Sequence, residues 1–273
     1  MVNTFTALGG VIHYNTRADR VIVENGRAAG VSAKPKNCLQ TDSQEKRYNA
    51  GAVVISSDTM MIEQYFDFPL RSPWFDEMRS KIIPTTVTLI CLGINADLQN
   101  YPKYGVFKLK QPIELADQCY ERLIVSIYSN DPVYSPKSKT AVTVQLPGDT
   151  YDFWKKIKSE GNYETEKKKI ADKVISALTV QIPEAGGKIE VCDVATPLTY
   201  ERYCANWKGS WMSKTSPGME RKEYPAVIKG LSGVYFAGQR MMPPGGLPMA
   251  LMSARTAVQR LCRDTGTLFV SEE

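Results

Sequence analysis

The sequence predicts an α+β fold made of two interleaved bodies. Three observations predict it. Near the start, alternating runs flank Asn25 and Gly26, the strongest short hairpin signal a sequence carries. In the middle, three β-branched runs, "TTVTLICLGI", "ERLIVSIYS" and "TAVTVQL", are joined by polar, proline-containing loops, as in one antiparallel sheet. Near the end, a short apolar run passes through a Pro/Gly-rich turn into a stretch with helical spacing. The outer segments, 1–83 and 225–273, share one character. The middle, 84–224, reads as a sheet with helices packed on it.

The elements follow in order. "FTALGG" reads as the last turn of a helix closed by Gly9 and Gly10. Strands are expected at 11–14, 18–23 and 28–34, making a β-meander. A polar loop from Asn37 to Gln44 leads to "AGAVVISSD", where 52–55 is apolar enough for a buried strand. "PLRSPWFDEMRSKIIP" is a break rich in proline and aromatics. After the three sheet strands come a short helix, "DFWKKIKSE", and a longer one, "YETEKKKIADKVISALTVQI". The longer helix carries Ile170, Val174, Ile175 and Leu178 on one face. A strand at 188–195 precedes "TPLTYERYCANWKGSW". The last strand, 233–237, opens onto the turn and the final helix.

Composition narrows the function. The chain has 273 residues, 43% hydrophobic and 23% charged, enough for a sizeable core and one or two domains. A net charge of +5, from 34 basic and 29 acidic residues, is too small an excess to argue for nucleic acid. The lysines around 155–169 alternate with glutamates, as on a solvated helix face. The six cysteines include no Cys-x-x-Cys pair, so reduced thiols in a cytosolic protein are expected. His13 is the only histidine, which excludes a His-rich metal site or a Ser-His-Asp triad built from this chain. No apolar run reaches membrane-spanning length, and no signal-peptide pattern is read. The expected location is the cytoplasm, with peripheral membrane contact through anionic lipid as the secondary expectation.

The stretch "AGQRMMPPGGLPMALMSARTAVQRLC" carries the most chemistry. Pro243 and Pro244 fix φ and donate no hydrogen bonds. Gly245 and Gly246 let a flat ligand approach the backbone. Pro248 suits a first helical turn, whose free N–H groups favour an electron-rich atom. Ala250, Ser253, Ala254 and Ala257 form a small-residue face for close packing. These residues alone leave two readings open: a ligand mouth, or a plain loop before a C-terminal helix. Asp149, Glu160 and Asp193 have no spacing that supports acid-base work and read as surface charges. Trp154, Trp207 and Trp211 are read as core residues or as the lining of an apolar pocket. Arg202 is read as structural, pairing with an acid.

"VYFAGQRMMPPGGLPMALMSARTAV" closely resembles the carboxy-terminal flavin motif of the phytoene desaturase and carotenoid isomerase family, FAD-dependent oxidoreductases of the broader amine-oxidase-like class. "LGGVIHYNTRADRVIVENGRAAGV" resembles that family's adenine-contacting meander. "AGAVVISSD" resembles its following strand, and "VATPLTYERYCANWKGS" its Thr-Pro segment ahead of a Gly-Ser. The resemblance implies that Ala18 lies near adenine, Ser57 near the dinucleotide, and Gly238 and Gln239 near the ribityl and pyrophosphate. It implies that Gly246, Leu247, Pro248 and Met249 line the isoalloxazine. Met249 departs from the family's Gly or Ala. The family's opening Gly-x-Gly-x-x-Gly, which cradles the pyrophosphate, has no counterpart in these residues.

The resemblance therefore implies a fragment of an FAD/NAD(P)-binding α/β fold, with a mixed or antiparallel substrate-domain sheet. A missing N-terminal segment would be its partner in holding FAD, so FAD binding by this chain alone is expected to be weak or absent. The implied reaction is hydride transfer between flavin and a hydrophobic, polyene-like substrate. A non-catalytic binding domain that has lost its cofactor is the alternative, favoured by Met249 and the absent phosphate loop. A relative acting on amines is a third.

Overall fold

The structure, a computed structural model, describes residues 1–35, 45–129, 131–220 and 222–270. The expected loop from Asn37 to Gln44, with Cys38, lies outside them. The first segment carries α1 (Val2–Ala7), β1 (Thr16–Glu24), β2 (Arg27–Pro35), β3 (Lys46–Asn49), β4 (Val53–Ile55) and α2 (Pro73–Lys81). The middle carries β5 (Ile82–Ile94), β6 (Tyr104–Leu115), β7 (Gln118–Ser129), β8 (Thr140–Gly148), α3 (Tyr151–Ser159) and α4 (Tyr163–Gln181). It continues with β9 (Ile189–Ala195), α5 (Pro197–Cys204) and β10 (Met212–Thr215). The last segment carries β11 (Val234–Phe236) and α6 (Leu247–Thr265). Two compact units result: Met1–Ile82 with Thr215–Glu273, and Ile83–Lys214.

In the first unit, β1, β2 and β3 form an antiparallel meander. Asn25 and Gly26 both take left-handed backbone, φ +51° and +73°, as a tight two-residue hairpin requires. The strand expected at 11–14 does not form. Those residues run irregularly into a turn at Asn15, φ +51°, and Val11 and Tyr14 are each 71% exposed, so no apolar face is there to bury. The third strand is β3 instead, four residues of polar character that carry no alternation to read. The break at 69–84 holds the helix α2, which the sequence reading missed. Pro73 sits in its first turn, where proline starts helices, and Phe75 and Met78 are fully buried one turn apart.

β4 and β11 pair in parallel, with Val53 opposite Val234 and Ile55 opposite Phe236. Every residue of β11 is buried. Ala257 of α6 packs against Tyr235 and Ala237, joined by Ala254 and Leu261, so the small-residue face lets the helix lie close to the strand. Residues 215–224, grouped with the middle on sequence, cluster with this unit. Tyr224 donates its backbone N–H to the Met241 carbonyl at 2.8 Å, and its ring lies 5.9 Å from that of Trp74.

In the second unit the sheet order is β10-β5-β8-β7-β6, with β9 also paired to β5. The β5–β8, β8–β7, β7–β6 and β5–β9 pairs are antiparallel. Alternation sends Ile90, Leu92, Val125, Ile127, Val142 and Val144 to one face. Trp154 of α3 and Ile170, Val174 and Leu178 of α4 complete that core. β6 escaped the sequence reading because it is an edge strand. Lys108 and Lys110 lie on its exposed face in step with Phe107 and Leu109, but the alternation breaks at Gln111 and Pro112, inside a register irregularity between Lys108 and Ile113.

The Thr-Pro to Gly-Ser segment is a packing lock. Thr196 and Thr199 form a reciprocal capping box at the start of α5. Gly209, φ +59°, lies so close to Pro197 that a Cβ would stand 1.8 Å from its carbonyl oxygen. Ser210 Oγ donates to the Trp207 carbonyl at 2.5 Å. On α4, Lys167 faces Glu164 at 3.4 Å and Lys169 faces Glu166 at 3.2 Å, as a solvated face does. Asp149, Glu160 and Asp193 are exposed. Arg202 is also exposed and lies over the Tyr203 ring, 5.3 Å from its centroid, in place of the expected acid partner.

Candidate cofactor site

The parallel register of β4 and β11 decides what meets at their C-terminal ends. The Ala237 N–H continues the ladder to the Ile55 carbonyl at 2.9 Å. Ser56, Ser57 and Asp58 therefore emerge beside Gly238, Gln239 and Arg240. Gly238 has φ +130°, and a Cβ on it would stand 3.6 Å from the carbonyl oxygens of Ser56 and Ser57. Its N–H donates to Ser253 Oγ at 3.0 Å, so the small face of α6 also grips the strand end. Gln239 Oε1 accepts from the Gly246 N–H at 3.1 Å, which fastens the turn back onto the strand.

Beneath this junction, Arg240 and Asp58 form a buried ion pair. Nε meets Oδ1 at 2.6 Å and Nη2 meets Oδ2 at 2.9 Å, and the side chains are 1% and 2% exposed. Asp58 Oδ1 also accepts from the Met60 N–H at 3.1 Å. Sequence reasoning missed this pair and the polar grip of Ser253. The available signal was an Asp and an Arg each standing directly after a short buried strand.

A cleft of about 230 Å³ lies beside the junction, lined by Ala18, Val21, Val31, Val53, Ser57 and Tyr65, among others. It brings Ala18 of β1 and Ser57 together. Its volume is below the roughly 300–1,000 Å³ of sites that engulf a drug-sized ligand, so it suits one part of a larger ligand. Ser57 Oγ is buried and has no hydrogen-bond partner among the described residues. A buried hydroxyl without a partner is costly, and a ligand that bonds to it offsets that cost. A largely apolar slot that carries one unpartnered buried hydroxyl, with Arg20 also on its lining, fits the flat, nitrogen-bearing adenine end of a dinucleotide.

The helix start behaves differently. No side chain caps α6, and its N-cap, Gly246, has φ +99°. Leu247 is 74% exposed and Pro248 is exposed. Met249 is half-buried and lines a separate cavity of about 430 Å³ with Met242, Pro243, Pro244, Gly245, Lys222 and Glu223. The structure thus joins Ala18 to Ser57, and Gly238 and Gln239 to Gly246. It sets Met249 on another pocket, facing two prolines and a second methionine.

Known proteins match the chain in family and in fold. The family model described as "Flavin containing amine oxidoreductase" matches residues 1–262. The chain is 23% identical over 275 residues to the chloroplastic prolycopene isomerase of Daucus carota, covering 94% of this chain and 41% of that protein. Among solved structures, a putrescine oxidase triple mutant from a redesign of cofactor binding matches with TM-score 0.61 and 13% identity, covering 96% of this chain and 52% of that one. Cyclohexylamine oxidase from Brevibacterium oxydans matches with TM-score 0.53 and 13% identity, covering 92% and 48%. These likenesses show a shared fold. The chain spans about half the length, or less, of the proteins it matches.

Proposed function

The chain belongs to the flavin containing amine oxidoreductase family, and from that premise we propose that it supplies part of the FAD site and the substrate sheet of an oxidoreductase acting on a hydrophobic, polyene-like substrate. One observation carries the reading. Ser57, with its unpartnered buried hydroxyl, and Gly238, with its bare left-handed backbone, arrive side by side at the ends of two parallel strands. That is where open α/β sheets bind ligands. Bound flavin supplies the redox chemistry, and the protein supplies orientation and shelter from water.

Ala18 and Ser57 would hold the adenine end. Gly238 and Gln239 would border the ribityl and pyrophosphate. Gly246, Leu247, Pro248 and Met249 would border the isoalloxazine, with the thioether of Met249 taking the place of a smaller residue. These residues contain no Gly-x-Gly-x-x-Gly, so the pyrophosphate cradle falls to a dinucleotide-binding segment acting as partner. The second unit supports an apolar substrate: a cleft of about 510 Å³ is lined by Tyr128, Tyr134, Pro136, Ala141 and Val191, among others, beside Lys139 and Glu190. The name of the carrot relative supports the polyene class. An amine is the second reading. The Tyr128 and Tyr134 rings, 4.7 Å apart in the same cleft as Asp193, suit an ammonium group, while Glu190 there is paired with Lys139 at 2.5 Å.

The test is a titration of this chain with FAD, followed by amide NMR and by the visible spectrum after desalting. Weak binding that shifts Ala18, Ser57 and Gly238, with the flavin lost on desalting, is expected. Saturating FAD that moves none of these amides would overturn the reading in favour of a domain without a cofactor.

A further inference from the structure

A further cavity of the first unit, of about 530 Å³, lies at the opposite ends of β4 and β11 from Ser57 and Gly238. Arg27, from the start of β2, lines it together with Arg260 and Arg263, from the last turns of α6. Tyr235, Asp264, Asn25, Ser232 and Thr265 add to its polar lining, and Gly26, Gly230 and Gly233 supply bare backbone at φ +73°, +86° and +71°. Helix-end arginines complement the partial negative charge there, which accounts for Arg263. It does not account for Arg27, which belongs to a strand.

The charges do not cancel. Asp264 accepts from the buried Tyr235 hydroxyl at 3.2 Å and faces Arg263 at 3.4 Å. Arg27 and Arg260 have no carboxylate partner among the described residues. Both act on the Tyr235 hydroxyl: burial and Asp264 push its pKa up, while Arg27 and Arg260 pull it down. Two guanidinium groups thus converge on one concave site beside a phenol, each with a planar fork of donors. That chemistry matches a tetrahedral oxyanion, which accepts from both forks. We infer that this cavity is a phosphate-binding site, distinct from the flavin cleft. Five residue steps separate Gly233 from Gly238, so the two sites stand about 16 Å apart along the strand. The inference does not rest on the flavin reading.

The probe is inorganic phosphate, titrated into this chain at constant ionic strength and followed by amide and arginine Nε NMR. Shifts at Gly26, Arg27, Gly230 and Arg260 are expected, with at least a tenfold loss of affinity in Arg27→Gln/Arg260→Gln. Both side chains lie at the surface of the cavity, and an unchanged spectrum elsewhere shows that the variant folds. Chloride that reproduces the shifts, no shifts at all, or a variant that binds as the parent does would each overturn the site. Two sources carry this chemistry, and vesicles holding 30% phosphatidylserine separate them. Flotation of the parent chain with the vesicles, lost in the double variant and competed by phosphate, assigns a lipid headgroup. Phosphate binding without flotation assigns a soluble phosphate ester.

Discussion

Replacing Arg240 by methionine should destabilise the first unit by about 3–5 kcal/mol, the usual cost of leaving one partner of a buried ion pair alone. The structure indicates why the cost falls in that range. The two side chains are 1% and 2% exposed, so water cannot take over from the guanidinium. Two contacts, at 2.6 and 2.9 Å, are lost together. Methionine keeps most of the length of the arginine stem, so the loss is chiefly electrostatic. Asp58→Asn should reduce the damage when combined with Arg240→Met, because no charge then stays buried and the amide oxygen still accepts from Met60. The assay is urea denaturation, with hydrogen exchange read separately over 53–60 and 234–241. At about 1–3 kcal/mol per molar, the midpoint should fall by at least about 1 M. A fall below about 0.5 M, or a double variant as unstable as the sum of the singles, would refute the reasoning.

Three further outcomes are expected. Gly209→Ala should prevent the second unit from folding, since its Cβ would stand 1.8 Å from a backbone oxygen; soluble yield and circular dichroism check this. Ser57→Ala should raise the stability of the ligand-free chain by about 1 kcal/mol, by removing a buried unpaired hydroxyl, while weakening FAD binding; urea melts and FAD titration read the two effects. Glu63 is held below its usual 4.5, first by the hydrogen bond from Arg79 and also by the Leu70 N–H, against a smaller opposing effect of burial. A lowered native pKa means that the unfolded chain binds more protons, so this stabilisation is present above 4.5 and is lost as pH falls through the native value. Glu63→Gln should therefore destabilise at neutral pH, and the difference from the parent should shrink as pH falls through the lowered native value, as paired urea midpoints across acid pH would show.

What could be read from the sequence was local. The hairpin is written in two residues that tolerate left-handed backbone. α4 is written in a repeat that the whole helix obeys. α2 was hidden because Pro73 reads equally as a breaker or a starter, and only burial of Phe75 and Met78 decides. β6 was hidden because Gln111 and Pro112 break its alternation midway. At the candidate site, both strand-end motifs were visible, and so was the small-residue helix face. The ion pair beneath them was not, since Asp58 and Arg240 stand 182 residues apart and meet only through the parallel register. The exposure of Leu247 and the separate pocket of Met249 also depend on how the turn folds back through Gln239, a contact no spacing announces.

The chain leaves the first unit near Lys81 and returns near Ser216, and these residues touch. The Ser216 N–H and hydroxyl both reach the Lys81 carbonyl at 3.0 Å. The middle unit is therefore an insertion whose exit and entry share one doorway. On a ribosome, all of it is made before β11 appears, so β4 must wait for its partner. If the middle unit folds first, it acts as a clasp that turns a loop of ~130 free residues into a span of a few. That lowers the closure cost for the outer unit by on the order of 3 kcal/mol. The same doorway makes the insertion separable in principle: a short glycine link from Lys81 to Ser216 would leave the outer thread unbroken.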